Sequence, residues 1–307
     1  MIYNNVLEAI GHTPMIRLNH MTEDNSAQIL VKFEAVNIGG SIKTRTALGM
    51  IEAAIKQGKI HKDTIIVEPT SGNQGIGLAL IGAVKGYETR IIMPDSVSEE
   101  RMKLVQQYGA KVIRIHDDGD IGECIKKCMK TALDMQKSNP NIFVPQQFTN
   151  SANVKAQYEG TAREILEQVD IPIDGYCSGI GTGGTITGVG ERLKEVYPEI
   201  EIWALEPENA ALFSGGAVGT HMQMGIGDGV VPDILDQEIY NHIEVITDKE
   251  AIDIAKKLAS KEGLICGISG GTNVAGAIKL AKKLGKGKTV VTILPDTGER
   301  YFSTPLF

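Results

Sequence analysis

Short apolar runs alternate with longer segments of helical periodicity along most of the chain. Continuously apolar strands are typical of parallel sheets that helices cover on both faces. After a helical turn at 6–10 and a strand at 15–18, the first half predicts strands at 29–33, 65–67, 88–93, 111–115 and 142–144 and helices at 45–56, 74–85, 99–108 and 122–137. This alternation predicts an α/β fold built on parallel sheets.

The second half repeats the alternation around a glycine-rich turn. It predicts strands at 175–178, 200–205 and 289–294, a helix that ends near 197, and helices at 249–262 and 272–284. No linker rich in proline, serine or glycine separates the halves. We therefore predict two α/β lobes with a cleft between them, where ligands bind beyond the carboxyl ends of the strands.

The composition narrows the class of protein and its partners. The 307 residues are 42% hydrophobic and 22% charged, and the 35 glycines fit a fold with many tight strand-to-helix turns. The formal net charge of −7 argues against nucleic acid or an anionic membrane as partner. The sequence contains neither a run of about 18 apolar residues nor a basic region followed by an apolar one, so we expect a cytoplasmic protein.

The cysteines predict neither disulfides nor a metal site. Cys124, Cys128, Cys177 and Cys266 are too sparse for a disulfide framework in a chain of this length. Cys124 and Cys128 lie four residues apart on a predicted helix, but no second cysteine or histidine pair stands near them in the sequence to complete a zinc site. Reduced, structural thiols are expected.

A glycine-backed lysine follows the first long strand. Residues 37–45, Asn-Ile-Gly-Gly-Ser-Ile-Lys-Thr-Arg, are called the lysine stretch here. Its adjacent glycines permit backbone conformations closed to other residues, and Ser41 can cap the next helix, which places Lys43 in the first turn. The partial positive charge at a helix N-terminus lowers the pKa of an ammonium group, which suits a Schiff-base lysine. A lone lysine is nevertheless most often a solvated surface residue.

Two further loops join a strand end to a helix start. The carboxylate loop, residues 69–75, reads Pro-Thr-Ser-Gly-Asn-Gln-Gly and offers hydroxyls, an amide and free N–H groups to an anion such as a carboxylate. The phosphate loop, residues 179–185, reads Gly-Ile-Gly-Thr-Gly-Gly-Thr and can cradle a phosphate. It also fits G-x-G-x-x-G at Gly179, Gly181 and Gly184, with Glu206 about twenty residues on, so a dinucleotide site is an alternative.

These three loops and a later Gly-Ile-Ser-Gly-Gly at 267–271 form an ordered set. The set resembles the cysteine synthase (O-acetylserine sulfhydrylase) and cystathionine β-synthase family, which are fold-type II pyridoxal phosphate (PLP) enzymes. The resemblance covers nearly the whole chain and extends to Gly-His-Thr-Pro at 11–14, Gln-Gln-Phe at 146–148, Ala-Asn at 152–153 and Asp-Thr-Gly-Glu-Arg-Tyr at 296–301. In a dinucleotide enzyme, the lysine stretch and the carboxylate loop would remain unexplained.

The resemblance implies the fold-type II architecture, similar to tryptophan synthase β, with the active site between two lobes. The larger lobe, which binds the cofactor phosphate, is expected to comprise residues 1–42 and 148–307. The smaller, mobile lobe is expected to comprise residues 43–147 and to carry the carboxylate loop. A homodimer without a metal ion is expected.

The resemblance also implies roles for individual residues. Lys43 is expected to hold PLP covalently and to move the substrate Cα proton, Asn73 to bond the ring hydroxyl, and Ser269 to face the pyridine nitrogen. A neutral hydroxyl there makes the ring a weaker electron sink, which favours loss of a β-leaving group over transamination. The implied phosphate-binding residues are Gly181, Thr182, Gly183, Gly184 and Thr185. The implied substrate-binding residues are Thr70, Ser71, Asn73, Gln74, Gln147 and Gly225.

The implied reaction is β-replacement or β-elimination on an L-serine or L-cysteine derivative through an α-aminoacrylate intermediate. The first candidate is cysteine synthase, which joins O-acetyl-L-serine to sulfide. The second is an enzyme that releases hydrogen sulfide from L-cysteine and adds water or a thiol, giving L-serine or lanthionine. An NAD-dependent oxidoreductase and a regulatory relative without catalysis are more distant alternatives, and the presence of Lys43 argues against the last.

Four positions depart from the family pattern. Proline is usual at Ile38, aspartate at Thr44, threonine at Gln74, and a small or apolar residue at Asp228. A carboxylate at Asp228 can deprotonate an incoming water and repels the anion HS⁻, which favours the sulfide-producing reaction. An aspartate that merely faces water in a turn is the alternative interpretation.

Overall fold

The structure is a computed structural model that describes residues 2–119 and 121–307, so Met1 and Asp120 lie outside it. Within these residues the strands form two sheets, with helices packed against them. The strands are β1 (Met15–Arg17), β2 (Gln28–Phe33), β3 (Ile65–Pro69), β4 (Glu88–Pro94), β5 (Lys111–Ile115), β6 (Ile142–Phe143), β7 (Gly175–Gly179), β8 (Glu201–Pro207), β9 (His242–Ile246) and β10 (Thr289–Leu294). The helices are α1 (Lys43–Lys56), α2 (Asn73–Lys85), α3 (Glu99–Gln107), α4 (Ile121–Ser138), α5 (Ser151–Ala156), α6 (Arg163–Gln168), α7 (Gly184–Val196), α8 (Asp248–Lys257) and α9 (Ile268–Leu284).

The larger sheet has the strand order β1-β2-β10-β7-β8-β9. β1 pairs antiparallel with β2, and the remaining neighbours pair in parallel. All residues of β10 are buried in the centre of this sheet, which explains why its sequence is almost continuously apolar. The smaller sheet has the order β5-β4-β3-β6 and is parallel throughout. The predicted pair of parallel-sheet α/β lobes is therefore confirmed.

Two features of the larger sheet region were not predicted, the strand β9 and the helical segment that comprises α5 and α6. β9 is an edge strand whose residues are mostly half-buried, so it lacks the apolar run that marks the central strands. α5 and α6 are joined by a π-helical turn at Gln157–Ala162, and such a turn breaks the helical period of the sequence. Both elements depend on their position in the fold more than on a local pattern.

α9 begins at Ile268, four residues before the predicted start. The glycines at its beginning have low helix propensity, but one of them is required by packing. A Cβ on Gly271 would lie 1.9 Å from the Ala251 carbonyl oxygen of α8. Glycine therefore allows the two helices to approach closely, and the early start places Ser269 in the first turn.

The cysteines have the structural character that the sequence predicts. All four are free and buried, and burial raises the pKa of the Cys128 thiol to about 12. The described residues contain no group of side chains arranged to hold a metal ion. Across the same residues, no helix is both long and apolar enough to cross a membrane.

A buried network of charges holds the N-terminal segment against the start of α1. Arg45 donates to Glu34 (Nη2 to Oε1, 2.9 Å) and to Glu164 (Nη1 to Oε1, 2.6 Å), and the Lys32 ammonium lies 2.8 Å from Glu164 Oε2. Burial opposes ionisation of Glu164, but its bonds to Arg45 and Lys32 prevail and lower its pKa to about 2. The His12 N–H donates to the same carboxylate at 2.9 Å, so the Gly-His-Thr-Pro motif belongs to this network.

We expect Arg45→Met to lower the free energy of unfolding by about 3–5 kcal/mol, because it leaves two buried carboxylates short of a cation. The matched control is Arg163→Met, which removes an exposed i,i+4 partner of Glu167 and should cost about 0.5 kcal/mol or less. Urea unfolding of both variants measures the difference. Equal and small losses would contradict the structural role of the network.

Candidate active site

One cavity between the two sheets brings nearly all of the predicted site residues together. It spans about 870 Å³ of empty space, part of which is open to solvent, at the loops that follow the parallel strands. The predicted residues on its wall are Lys43, Thr70, Ser71, Asn73, Gln74, Gln147, Gly181, Thr182, Gly183, Thr185, Gly225, Asp228 and Ser269. Gly184 is not on the wall, because its α-carbon faces the Asn153 side chain.

Backbone hydrogen bonds join the lysine stretch to the end of β10. The Ile42 N–H donates to the Pro295 carbonyl at 2.8 Å, and the Thr297 N–H donates to the Gly40 carbonyl at 3.1 Å. Ser41 forms a bridge with Asp296 between them, and its hydroxyl is buried without a partner among the described residues. The prediction that Ser41 caps the helix is therefore wrong, because the bridge holds it in the strand-like segment before α1.

Lys43 is the first residue of α1, and its amine faces the phosphate loop. Its Nζ lies 3.5 Å from the Thr182 hydroxyl oxygen. Burial lowers the pKa of Lys43, and the negative charges of Asp228 and Asp296 oppose this shift. The predicted direction of the shift is the same, but its main cause is loss of solvent. An amine with a lowered pKa is a better nucleophile at neutral pH.

The phosphate loop has the geometry of an anion cradle. It connects the end of β7 to the start of α7, where Gly183 adopts a left-handed conformation with φ of +78°. The first turn of a helix leaves backbone N–H groups without intrahelical partners, so they can face an anion. A Cβ on Gly181 would lie 2.3 Å from the Gly225 carbonyl oxygen, so this part of the wall requires glycine.

Glu206 is not available for the alternative dinucleotide site. Its buried carboxylate accepts the backbone N–H groups of Phe213 at 2.9 Å and Ser214 at 2.8 Å. The Gly179 N–H donates to the Asn273 side-chain oxygen at 2.8 Å. The Glu206 carboxylate, which would bind a ribose, and the Gly179 N–H, which would bind a pyrophosphate, are thus already hydrogen-bonded within the protein.

The carboxylate loop and Gln147 form the opposite wall of the cavity. The Thr70 hydroxyl oxygen accepts the Gly72 N–H at 3.1 Å, which keeps the loop tight before α2 begins at Asn73. Gln147 donates from Nε2 to the Pro69 carbonyl at 3.3 Å. Both polar atoms of the buried Gln74 side chain lack partners among the described residues, so this amide is able to bond a ligand.

The Asn73 side chain is held by two residues of the Asp-Thr-Gly-Glu-Arg-Tyr motif. Its Nδ2 donates to Asp296 Oδ2 at 2.8 Å, and its Oδ1 accepts from Arg300 Nη1. The other terminal nitrogen of Arg300 donates to the Gly39 carbonyl. Arg300 therefore connects the carboxylate loop with the lysine stretch, a connection that sequence reasoning missed.

Arg101, which lines the cavity, is a second residue whose role sequence reasoning missed. It is only 1% exposed, and it donates to the Ser71 carbonyl at 3.3 Å and to the Tyr301 hydroxyl at 2.8 Å. A signal existed in the sequence, because Arg101 lies four residues before Val105 and so shares the buried face of α3.

Ser269 and Asp228 occupy further positions on the cavity wall. Ser269 is buried in the first turn of α9, and no hydrogen bond engages its hydroxyl within the described residues. Burial raises the pKa of the Asp228 carboxyl, while the positive charges of Lys43 and Arg101 oppose the shift. Asp228 is half-buried on this wall, and it lies close enough to Lys43 for the two charges to interact.

Two departures from the family pattern lie beside the lysine stretch. The Thr44 hydroxyl is buried without a partner among the described residues, and it would lie 2.7 Å from a Cβ on Gly39. Ile38 packs against the hydrophobic core of the smaller sheet. Neither side chain lines the cavity.

The donor set fits PLP. The N–H groups of the phosphate loop suit its phosphate, the Lys43 amine suits its aldehyde, and the free Ser269 hydroxyl suits a ring nitrogen. A nearby unpartnered amide, Gln74, completes a polar wall for the substrate. The described residues therefore supply a binding group for the phosphate, the aldehyde and the ring nitrogen of that cofactor.

Comparison with known proteins agrees with this fit. A cysteine synthase of Staphylococcus aureus is 45% identical over 305 residues, which span 99% of this chain and 97% of that protein. The structure of O-ureido-L-serine synthase is similar with a TM-score of 0.95 and 38% identity, and the match covers 100% of this chain and 96% of that one. A hydrogen sulfide-producing enzyme from Fusobacterium nucleatum has a TM-score of 0.92 and 41% identity, over 98% of this chain and 100% of that one.

The predicted family, the enzyme class and the cofactor are confirmed by these likenesses, and the NAD-dependent alternative is set aside. The family model described as "Pyridoxal-phosphate dependent enzyme" matches residues 6–296. On this match and on the 45% identity to a cysteine synthase, the chain belongs to the pyridoxal-phosphate dependent enzymes.

Proposed function

We propose that this enzyme carries out β-replacement at the β-carbon of an L-serine derivative, in the manner of a cysteine synthase. The first candidate reaction joins O-acetyl-L-serine and sulfide, giving L-cysteine and acetate. The observation that carries the proposal is the single cavity in which Lys43 faces the phosphate loop and the carboxylate loop forms the opposite wall. Similarity to a cysteine synthase over nearly the whole chain supports it.

Bound PLP supplies an electron sink for negative charge that develops at the substrate Cα. We propose that Lys43 attaches the cofactor and then takes the Cα proton, because burial lowers the pKa of its amine. Ser269 faces the ring nitrogen in this proposal. Its neutral hydroxyl does not hold a proton on that nitrogen, so the ring withdraws electrons less strongly than a protonated ring would. This favours departure of the β-substituent.

The substrate carboxylate is placed by the smaller sheet and its neighbouring loop. In the proposal Thr70, Ser71 and Gln147 donate to it, and the unpartnered Gln74 amide extends the same wall. Thr182 and the N–H groups around it hold the cofactor phosphate. Two fixed anion sites on opposite walls orient the β-carbon between them, which supplies the positioning that this chemistry requires.

A second candidate reaction is favoured by Asp228. A carboxylate on the cavity wall with a raised pKa is suited to take a proton from water as water attacks the β-carbon. L-cysteine and water would then give L-serine and hydrogen sulfide. A structural likeness to a hydrogen sulfide-producing enzyme supports this candidate, which uses the same site with a different leaving group and nucleophile.

Assembly, location and lobe boundaries remain predictions. We propose a cytoplasmic homodimer, with a larger lobe of residues 1–42 and 148–307 and a smaller lobe of residues 43–147. The smaller sheet lies entirely within residues 43–147, which supports the division. Sedimentation of the purified chain tests the dimer.

The first expected result is that borohydride reduction of the purified protein fixes PLP on Lys43. The reason is that its amine is the group that faces the phosphate loop. Peptide mass spectrometry locates the adduct, and Lys43→Ala should lose both the adduct and the visible absorbance. An adduct on another lysine, or none in the parent protein, would contradict the proposal.

The second expected result concerns Asp228→Asn. Without a base for water, sulfide release from L-cysteine should fall by about 10²-fold, while L-cysteine formation from O-acetyl-L-serine and sulfide should persist. The control is Asp233→Asn, because Asp233 is an exposed carboxylate of the same loop region and should change neither rate. If Asp228→Asn converts L-cysteine as fast as the parent, Asp228 is not the base and the cysteine synthase reaction stands alone.

The third expected result is that a substrate analogue slows amide hydrogen exchange in residues 70–85. The carboxylate loop belongs to the smaller sheet and the phosphate loop to the larger one, so a ligand bound to both should close the cavity. Exchange mass spectrometry with and without the analogue measures this effect. Unchanged exchange would indicate a preformed site.

A further inference from the structure

The Glu68 carboxylate is buried at the end of β3, and none of the cations among the described residues forms an ion pair with it. It is 0% exposed, and its two oxygens accept the backbone N–H groups of Gln146 and Gln147, each at 2.9 Å. Burial raises the pKa of Glu68 to about 8, and the two hydrogen bonds oppose that shift. Burial of an isolated carboxylate reduces the free energy of unfolding, so the position of this group requires a structural or functional explanation.

The two N–H groups belong to a segment with an unusual backbone. Gln146 has φ of +57°, in the left-handed region that side chains other than glycine rarely adopt. The carboxylate fixes the direction of both N–H groups and so offsets the cost of this conformation. Gln147 follows directly, so the direction of its side chain depends on the same turn.

Gln147 is also held from its other side. Its backbone carbonyl accepts Asn153 Nδ2 at 2.9 Å, and the same nitrogen donates to the Thr182 hydroxyl oxygen at 2.9 Å. The Gln147 backbone therefore lies between Glu68 of the smaller sheet and a residue that contacts the phosphate loop. Its side chain bonds the Pro69 carbonyl at the base of the carboxylate loop.

We infer that Glu68 is a positioning residue, which orients Gln147 toward the substrate carboxylate by clamping the two backbone N–H groups of Gln146 and Gln147. This inference rests on the proposed function, because it assigns a substrate carboxylate to Gln147. Glu68 itself does not line the cavity, so its effect passes through Gln147. Replacing the carboxylate by an amide puts an NH₂ donor opposite one of the two N–H groups. One of the two hydrogen bonds is then lost.

The chain offers a matched control in Glu206. Glu206 is likewise the penultimate residue of a parallel strand and precedes a proline. It is 1% exposed and accepts two consecutive backbone N–H groups, those of Phe213 and Ser214. These two residues do not line the cavity. Glu206→Gln therefore makes the same chemical change in the same local setting without disturbing Gln147.

The test compares Glu68→Gln, Gln147→Ala and the double variant at about pH 9, above the pKa of about 8 that burial gives Glu68. KM and kcat for O-acetyl-L-serine are measured with sulfide. A hydrogen bond to a charged group is lost in either single variant, so each should raise KM roughly tenfold or more while kcat stays within about twofold. The double variant should be no worse than Gln147→Ala, because both changes remove one interaction.

Several results would overturn the inference. One is a KM for Glu68→Gln equal to that of the parent, and another is additive changes of KM in the double variant. The others are an equal rise of KM in Glu206→Gln, and loss of the fold in Glu68→Gln when Glu206→Gln retains it. Glu68→Asp is the second variant. It keeps the charge on a shorter side chain that reaches one N–H group, so its KM should lie between those of the parent and Glu68→Gln.

Failure of the proposed function is distinguishable from failure of this inference. Borohydride trapping on Lys43 reports the cofactor site and should be equal in the parent and in Glu68→Gln. A parent that forms the adduct and turns over O-acetyl-L-serine, beside a Glu68→Gln variant of unchanged KM, overturns only the role of Glu68. A parent without the adduct or without turnover overturns both.

Discussion

The hydrogen bonds between the lysine stretch and the segment after β10 constrain the rest of the site. They are formed by backbone atoms of Gly40, Ile42, Pro295 and Thr297, so they do not depend on any side chain. Arg300 adds a bond to the Gly39 carbonyl and a second to Asn73, so one guanidinium serves two loops of different sheets. Lys43 begins α1 directly after this junction, which limits its amine to a narrow range of positions opposite the phosphate loop.

Buried charges fall into two groups that have different consequences. Arg45 and Glu164 neutralise each other within a satisfied network, which holds the start of α1 and lies off the cavity wall. Lys43 and Asp228 face the cavity without a direct ion pair, and burial shifts the pKa of each toward the neutral form. A shift in this direction makes it easier for each group to exchange a proton, so the incompletely paired charges are those suited to chemistry.

The sequence predicted the centre of the fold better than its edges. β10 and residues 65–67 of β3 are largely apolar because they are buried within their sheets, and that requirement is visible in a single segment. β9 is an edge strand, and α5 passes into a π-helical turn, so neither has a strong local signature. The start of α9 was misplaced because Gly271 is required by contact with α8, which no local propensity reveals.

The same distinction applies to the site. Residues in loops after strands were recognised because Lys43, the carboxylate loop and the phosphate loop have local patterns. Glu68, Arg101 and Arg300 were missed because their partners lie far away in the chain, such as Tyr301 for Arg101. A charged residue on a buried face is nevertheless a usable signal, as Arg101 shares a helix face with Val105.

The charge balance inside the cavity bears on the choice of nucleophile. An ionised Asp228 repels HS⁻ but can accept a proton from water, whereas a protonated Asp228 admits the anion and cannot act as a base. Burial favours the protonated form, and the positive charges of Lys43 and Arg101 favour the ionised one. In the proposed reaction, covalent attachment of the cofactor would change the charge state of Lys43, whose positive charge is the largest of those that oppose the effect of burial on Asp228. Under the proposed function, the protonation of Asp228, and with it the preference for sulfide or water, would therefore be coupled to the state of Lys43.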